Sequence, residues 1–173
     1  MTYLKLTFSV ASGWLERPLL CAFLAALFAA SCQAPVNISD VEQAERFVKA
    51  LNSRDVDSML ALAEVPFADR RQEWQREADG FSLGRATDHI VKDTSALRSL
   101  FAELAGSVQI ERNTPAEKPP AREELLHQFL AGASPQWAAA NIFVFRRGFG
   151  DVEHIALLGV SPNSKKVTAI YLN

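Results

Sequence analysis

The chain's two cysteines, Cys21 and Cys32, both lie ahead of residue 33, and the second follows an uninterrupted apolar run over 19–30. Whatever folds beyond residue 32 therefore does so without a disulfide and without a cysteine-based metal site. The run has the length of the apolar core of an export signal. It falls short of the roughly 20 residues a helix needs to cross a bilayer. Arg17 stands just before it, and the small residues Ala29, Ala30 and Ser31 end it. Residues 1–31 are thus expected to be a signal peptide, 32–38 a tether and 39–173 a single domain. A domain of that size buries enough surface to be stable without cross-links.

Ala29-Ala30-Ser31-Cys32 resembles the lipobox of bacterial lipoproteins, with Ala29 standing where Leu is usual. The resemblance implies that Cys32 is diacylated, palmitate among its chains, and becomes the new N-terminus. It implies a protein held on the periplasmic side of a membrane in the cell envelope. Gln33, where Asp marks retention at the inner membrane, points to the outer membrane. Two or three acyl chains anchor firmly where a single one binds marginally. The plainer alternative is a secreted, non-lipidated domain cut near Ser31 or Ala34. The segment ahead of the run is long and contains Glu16, so a true start nearer Arg17 would use a non-Met codon.

The whole chain carries a net charge of −2. Removing Lys5, Glu16 and Arg17 with the signal leaves the remainder one unit more acidic. Arg70-Arg71, Arg146-Arg147 and Lys165-Lys166 are isolated pairs, so no basic face forms and no nucleic-acid partner is expected. There is no Gly-rich phosphate loop and no G-x-S-x-G, and no cofactor is expected.

Ser39-Asp40-Val41-Glu42 has the pattern of a capping box. Val41, Ala44, Phe47, Val48 and Leu51 follow at helical spacing, up to Asn52-Ser53-Arg54. Asp55 opens a second short helix with Val56, Met59, Leu60 and Ala63 inward. Pro66 forces Val65 into an extended conformation. The polar stretch 68–92 suggests one weak strand, from Trp74, Phe81 and Leu83, with turns at Gly80 and Gly84. Asp93 or Thr94 caps a third helix whose buried stripe is Leu97, Leu100, Phe101 and Leu104, and Gly106 ends it. Val108 and Ile110 alternate as a strand would. Pro115, Pro119 and Pro120 mark a loop. Residues 122–131 form a short helix with Leu125, Leu126, Phe129 and Leu130, closed by Gly132. Strands are expected over 137–145, with Ile142 and Val144 on one face and Phe143 and Phe145 on the other, then over 152–160 and 167–172. Gly148-Phe149-Gly150 and Ser161-Pro162-Asn163-Ser164 are the turns between them. Helices gathered early and strands late argue for an α+β fold with an antiparallel sheet.

The stretch AERFVKALNSRDVDSMLAL over 44–62 resembles the opening of the nuclear transport factor 2-like superfamily. These are cone-shaped α+β domains in which a curved, mostly antiparallel sheet wraps around N-terminal helices. The helix at Thr94-Ser95-Ala96-Leu97-Arg98 and the C-terminal strands suit that layout. The helix at 122–131 departs from it as an insertion between strands, and the polar stretch 70–92 is longer than a simple hairpin. The resemblance implies a fold and not an activity, because enzymes, binding modules and immunity-type proteins share it.

Enzymes of that superfamily, such as the ketosteroid isomerases, place a carboxylate on an early strand as proton shuttle, with a Tyr and a protonated Asp as oxyanion donors. Asp69 is the nearest counterpart of the base. No Tyr stands in the first helix, the two tyrosines being Tyr3 and Tyr171, and with Arg70-Arg71 beside it Asp69 also fits a solvated loop. None of His89, His127 and His154 pairs with a second ligand at i, i+4 spacing, so no metal is expected. His89 is expected to be exposed and His127 to sit at a boundary. His154 shares a face with Val152, Ala156 and Leu158, as an inward-pointing or hydrogen-bonded histidine would. One of Arg146 and Arg147 must share the face of Ile142 and Val144 and could meet an anionic ligand at the cone mouth; Arg146 is the candidate. Trp74 and Trp137 could line a pocket, although aromatic rings at such positions more often pack a core.

The candidate pocket is therefore Asp69, Trp74, Arg146 and His154, with Cys32 as the lipidation site and no complete catalytic set. The expectation is a lipid-anchored binding or interaction domain. Its partners would be the membrane, then a small apolar ligand in the cone or a protein on the sheet, a homodimer included. The rival is an isomerase, dehydratase or hydrolase using Asp69 or His154.

Overall fold

In the computed structural model the chain divides into two units, Met1–Pro35 and Val36–Asn173, and the structure describes residues 38–111, 122–148 and 154–173. The signal, Cys32 and most of the tether lie outside the described residues. So do Pro115, Pro119, Pro120, Phe149, Gly150 and Val152. Among the described residues no helix is long and apolar enough to cross a membrane.

Helices α1 (Ile38–Asn52) and α2 (Val56–Leu62) stand where the apolar spacing put them. Arg54, at φ 58°, turns the chain between them, and Asp55 caps α2 by accepting from the Ser58 N–H at 3.0 Å. The capping box at the start of α1 does not form. Ser39 and Asp40 lie inside the first turn, and Glu42 pairs with Arg46 at 2.7 Å instead of reaching back. Asp40 is fully buried and ion-paired to Lys165 at 3.0 Å, and it accepts from Asn141 Nδ2 at 2.8 Å. Long-range bonds thus fix the helix start in place of a local cap. Asp93 caps α3 (Thr94–Ser107), accepting from the Ala96 N–H at 2.8 Å.

The polar stretch after α2 holds four strands where the sequence suggested one. They are β1 (Ala63–Arg71), β2 (Trp74–Glu77), β3 (Gly80–Leu83) and β4 (Thr87–Val91). β1 lacks apolar alternation because both of its faces are covered: Phe67, Ala68, Asp69 and Arg70 are buried in succession. Among the described residues β2 and β3 pair with each other alone. With β5 (Asn141–Gly148), β6 (His154–Val160) and β7 (Val167–Leu172), a five-stranded sheet forms in the order β4-β1-β7-β6-β5. Its neighbours are antiparallel except β1 and β7, which run parallel.

Two further expectations are corrected. Trp137 lies in a short helix, α5 (Pro135–Ala139), and not in a strand; Pro135 at its first turn is where proline suits a helix. Val108 and Ile110 form no strand among the described residues. Ile110 instead pairs with the Asn52 side chain, which donates to its carbonyl at 2.6 Å and accepts from its N–H at 2.9 Å.

On one face of the sheet Phe67, Phe145, Leu158 and Ile170 meet Phe47, Leu51, Met59, Phe101 and Leu104 from the helices. The Phe101 ring stands edge-on to Phe47 and Phe67, with centroids 5.4 and 5.3 Å apart. Such pairs add about 0.5–1.5 kcal/mol each beyond their burial. On the other face Ala68, Leu157, Ala169 and Tyr171 are covered by Leu126, Phe129, Leu130 and Trp137, from α4 (Arg122–Gln128) and the chain leading through α5. The expected insertion is thus the cover of the outer face. Arg70 fastens it: Nε donates to the Phe129 carbonyl at 3.1 Å, Nη2 to the Ala131 carbonyl at 2.9 Å, and Nη1 to Asp88 at 2.7 Å. In β5 the alternation holds, with Phe143 and Phe145 toward the helices and Ile142 and Val144 toward the cover.

Candidate functional site at one end of the sheet

Because β1 and β7 run parallel and β6 runs against β7 and β5, the last residues of β1, β5 and β7 and the first of β6 fall on one edge. The polar ends of four strands therefore meet at one place, beside the C-terminal turn of α3.

Asp69 is 6% exposed within β1, not in a solvated loop. Arg71, two residues on and so on the same face, donates Nε–H to both carboxylate oxygens at 3.2 and 3.0 Å and Nη1–H to Glu103 at 2.7 Å. Burial works against the Arg71 charge, but the bonds to Asp69 and Glu103 outweigh it and hold the guanidinium above its ordinary pKa.

Arg147 sits where the β5–β6 register shifts between Arg146 and Gly148. Its Nη1 donates to the Asn173 carbonyl at 2.6 Å. Burial, then the Arg71 charge, push its pKa below the ordinary value. His154 Nδ1 lies 3.0 Å from the same carbonyl oxygen. That oxygen only accepts, so Nδ1 carries a proton. The Asn173 side chain accepts from the Ile155 N–H at 2.6 Å.

A cleft of about 170 Å³ opens here, lined by Arg71, Gln72, Glu73, Ser107, Val108, Arg147, Leu172 and Asn173. Gln72 is fixed from behind: it accepts from the Tyr171 hydroxyl at 2.9 Å and donates to the Gly84 carbonyl at 2.7 Å. Burial pushes the Tyr171 phenol up to about 12, against the nearby Arg70 charge and a hydrogen bond with Asn173. A larger groove, about 440 Å³, runs along α1 by Glu45, Lys49 and Asn52, with Val48 and Phe145 as its apolar residues. None of the sequence candidates lines it.

The four candidate pocket residues do not form one pocket. Asp69 and His154 reach this end of the sheet through Arg71 and Asn173. Trp74 is half-buried on the β2–β3 hairpin opposite Leu83. Arg146 lies opposite Ile155, and its carbonyl accepts from the Glu111 N–H at 2.6 Å; it lines neither opening. Its neighbour Arg147 enters the cleft. Strand alternation carried that signal, since Arg147 follows Phe143 and Phe145 in the same parity. Arg71 was legible by the same rule from Asp69. Ser107, Val108 and Asn173 come from three separate parts of the chain, and only the fold joins them. His89 and His127 are exposed, and among the described residues no group of three His, Cys, Asp or Glu converges on a metal position.

The arrangement presents a half-buried forked cation to a small, partly apolar cleft. Asp69, on the neighbouring stretch of β1, is buried with both oxygens accepting from Arg71.

The chain matches no protein-family model and none of the curated proteins. Among solved structures it is similar to an NTF2-like protein of unknown function from Cytophaga hutchinsonii ATCC 33406. The two are 7% identical over 78% of this chain and 88% of that one, with a TM-score of 0.41. It is also similar to an uncharacterized cystatin fold protein from Novosphingobium aromaticivorans, 12% identical over 78% of this chain and 97% of that one, with a TM-score of 0.40.

Proposed function

We propose that this chain is a binding domain, held at a membrane surface through lipid on Cys32, that takes its ligand at the end of the sheet and not inside the sheet–helix layer. The observation that carries this reading is how the space is used. The layer between sheet and helices is occupied by the rings of Phe47, Phe67 and Phe101, each fully buried, while the polar groups gather at one end around a cleft. A few convergent polar groups beside apolar walls are the usual make-up of a binding site. Catalysis by Asp69 fits less well, because a general base must reach its substrate, and Asp69 is buried, ion-paired to Arg71 and not part of the cleft lining. The test is native mass spectrometry of the full-length protein extracted from membranes. A co-purified mass should disappear in Ser107→Trp, which fills the cleft, and persist in Lys49→Trp, which fills the α1 groove. The opposite pattern would move the site to the groove.

A further inference from the structure

The two edges of the five-stranded sheet are not alike. β4 carries Thr87, Asp88 and His89 at one edge, and polar and charged residues of that kind keep an edge from pairing with another chain. β5 carries Asn141, Ile142, Phe143, Val144 and Phe145 at the other, with no charge and no proline before Arg146. We propose that the β5 edge is where a second copy of this chain docks, β5 against β5 in antiparallel, with the two-fold axis at Phe143 and perpendicular to the sheet.

The backbone sets that register. The Arg146 carbonyl points away from β6, since it accepts from the Glu111 N–H at 2.6 Å. Ile155, opposite it on β6, turns away from β5 as well: its N–H goes to the Asn173 side chain, and its carbonyl accepts from the Asn173 N–H. Antiparallel pairing alternates, and the β5–β6 register is unbroken from Asn141 to Arg146. Ile142 and Val144 therefore also point their N–H and C=O groups outward. Among the described residues, the segment that meets this edge is Glu111, opposite Arg146. An axis at Phe143 sets Ile142 of each copy opposite Val144 of the other, and each such pair exchanges both of its backbone bonds.

The helix beside the edge agrees. α1 runs along β5 in the same direction: Asp40 at its start bonds to Asn141 at 2.8 Å, and Asn52 at its end bonds to Ile110, next to Glu111. The same axis therefore lays α1 antiparallel to its copy on one side of the joined sheet. Along α1 the acidic Glu42 and Glu45 come before the basic Arg46 and Lys49, and all four line the groove that has Phe145 of β5 in its wall. The acidic end of each groove thus faces the basic end of the other, Glu42 towards Lys49. The contact uses the same patch on both copies, so it closes on a dimer and does not propagate into a fibre.

The experiment is sedimentation velocity of the full-length protein in density-matched detergent over a dilution series, with amide exchange of the same samples followed by NMR. Dilution should turn a dimer into a monomer. The Ile142 and Val144 amides should exchange at least about tenfold faster in the monomer, where their outward N–H groups lose their partners. Val144→Pro removes an outward N–H that β6 does not use, so it should abolish the dimer and leave the circular dichroism unaltered. Glu42→Lys is an exposed change that sets like charges across the axis, and it should weaken association about tenfold. Adding Lys49→Glu to it should restore the affinity, which a merely structural effect of either substitution would not do. A monomer at every concentration, a dimer that Val144→Pro leaves intact, or Ile142 and Val144 amides that exchange alike in dimer and monomer would overturn the proposal. So would a Glu42→Lys dimer of undiminished strength, or a double variant no tighter than Glu42→Lys alone.

Discussion

Arg70 and Arg71 are neighbours in sequence and opposites in role, because successive strand residues face opposite sides of a sheet. Arg71 serves the polar end on the helix side. Arg70 ties the outer cover to β1 through the carbonyls of Phe129 and Ala131 and through Asp88. Arg70→Ala strands a partly buried carboxylate and two carbonyls, and should cost about 3 kcal/mol in urea unfolding. Amide exchange should rise first over 129–140. Gly159 lies under the same cover, where an added Cβ would meet the Cβ atoms of Ala140 and Ala169 at 3.1 Å. Gly159→Ala should therefore destabilise by about 1–3 kcal/mol through overpacking. Tyr171 gives the protein an alkaline limit. Its folded pKa of about 12 exceeds the unfolded value of about 10, so its contribution is complete below pH 10 and is lost as pH rises toward 12. Tyr171→Phe should flatten that fall, followed by unfolding curves at stepped pH and by phenolate absorbance.

At the scale of elements, helices α1, α2 and α3 were legible and strand β1 was not. α1 and α3 each bury one stripe against one partner, which is the condition under which apolar spacing reports structure. β1 is covered on both faces, and it places an ion-paired Asp69 on one and an ion-paired Arg70 on the other in place of Val or Ile. The pattern therefore looked like a polar loop. α5 was misread for a related reason: Trp137 is as apolar as a strand residue, and only Pro135 and the run of alanines behind it mark a helical turn. Trp137 is 1% exposed, and its Nε1, like Ser134 Oγ and Gln136 Oε1, has no hydrogen-bond partner among the described residues. Trp137→Phe forfeits no bond and should cost no more than about 1.5 kcal/mol. Trp137→Ala opens the cover and should cost about 3–5 kcal/mol. Chemical denaturation of the two variants checks the contrast.

For the whole molecule, the α+β layering follows from the order of elements, helices first and a C-terminal meander after, and the structure has it. The proposed attachment is a separate matter and would be carried by one residue. Cys32→Ala should abolish palmitate labelling and release the domain from membranes, whereas labelling that persists would refute Cys32 as the modified residue. The order β4-β1-β7-β6-β5 was beyond a reading by local pattern, because it depends on a parallel pairing between segments about a hundred residues apart. That pairing also governs how the chain comes to be folded. β7, which emerges last of the seven strands, is the middle of the sheet, and it alone joins β4–β1 to β6–β5. Without it β4–β1 and β6–β5 are two separate strand pairs, and the buried β7 residues that both core layers share are missing. A copy cut before Val167 should therefore be digested faster than the longer chain in limited proteolysis, the loss of one strand undoing the join between two pairs.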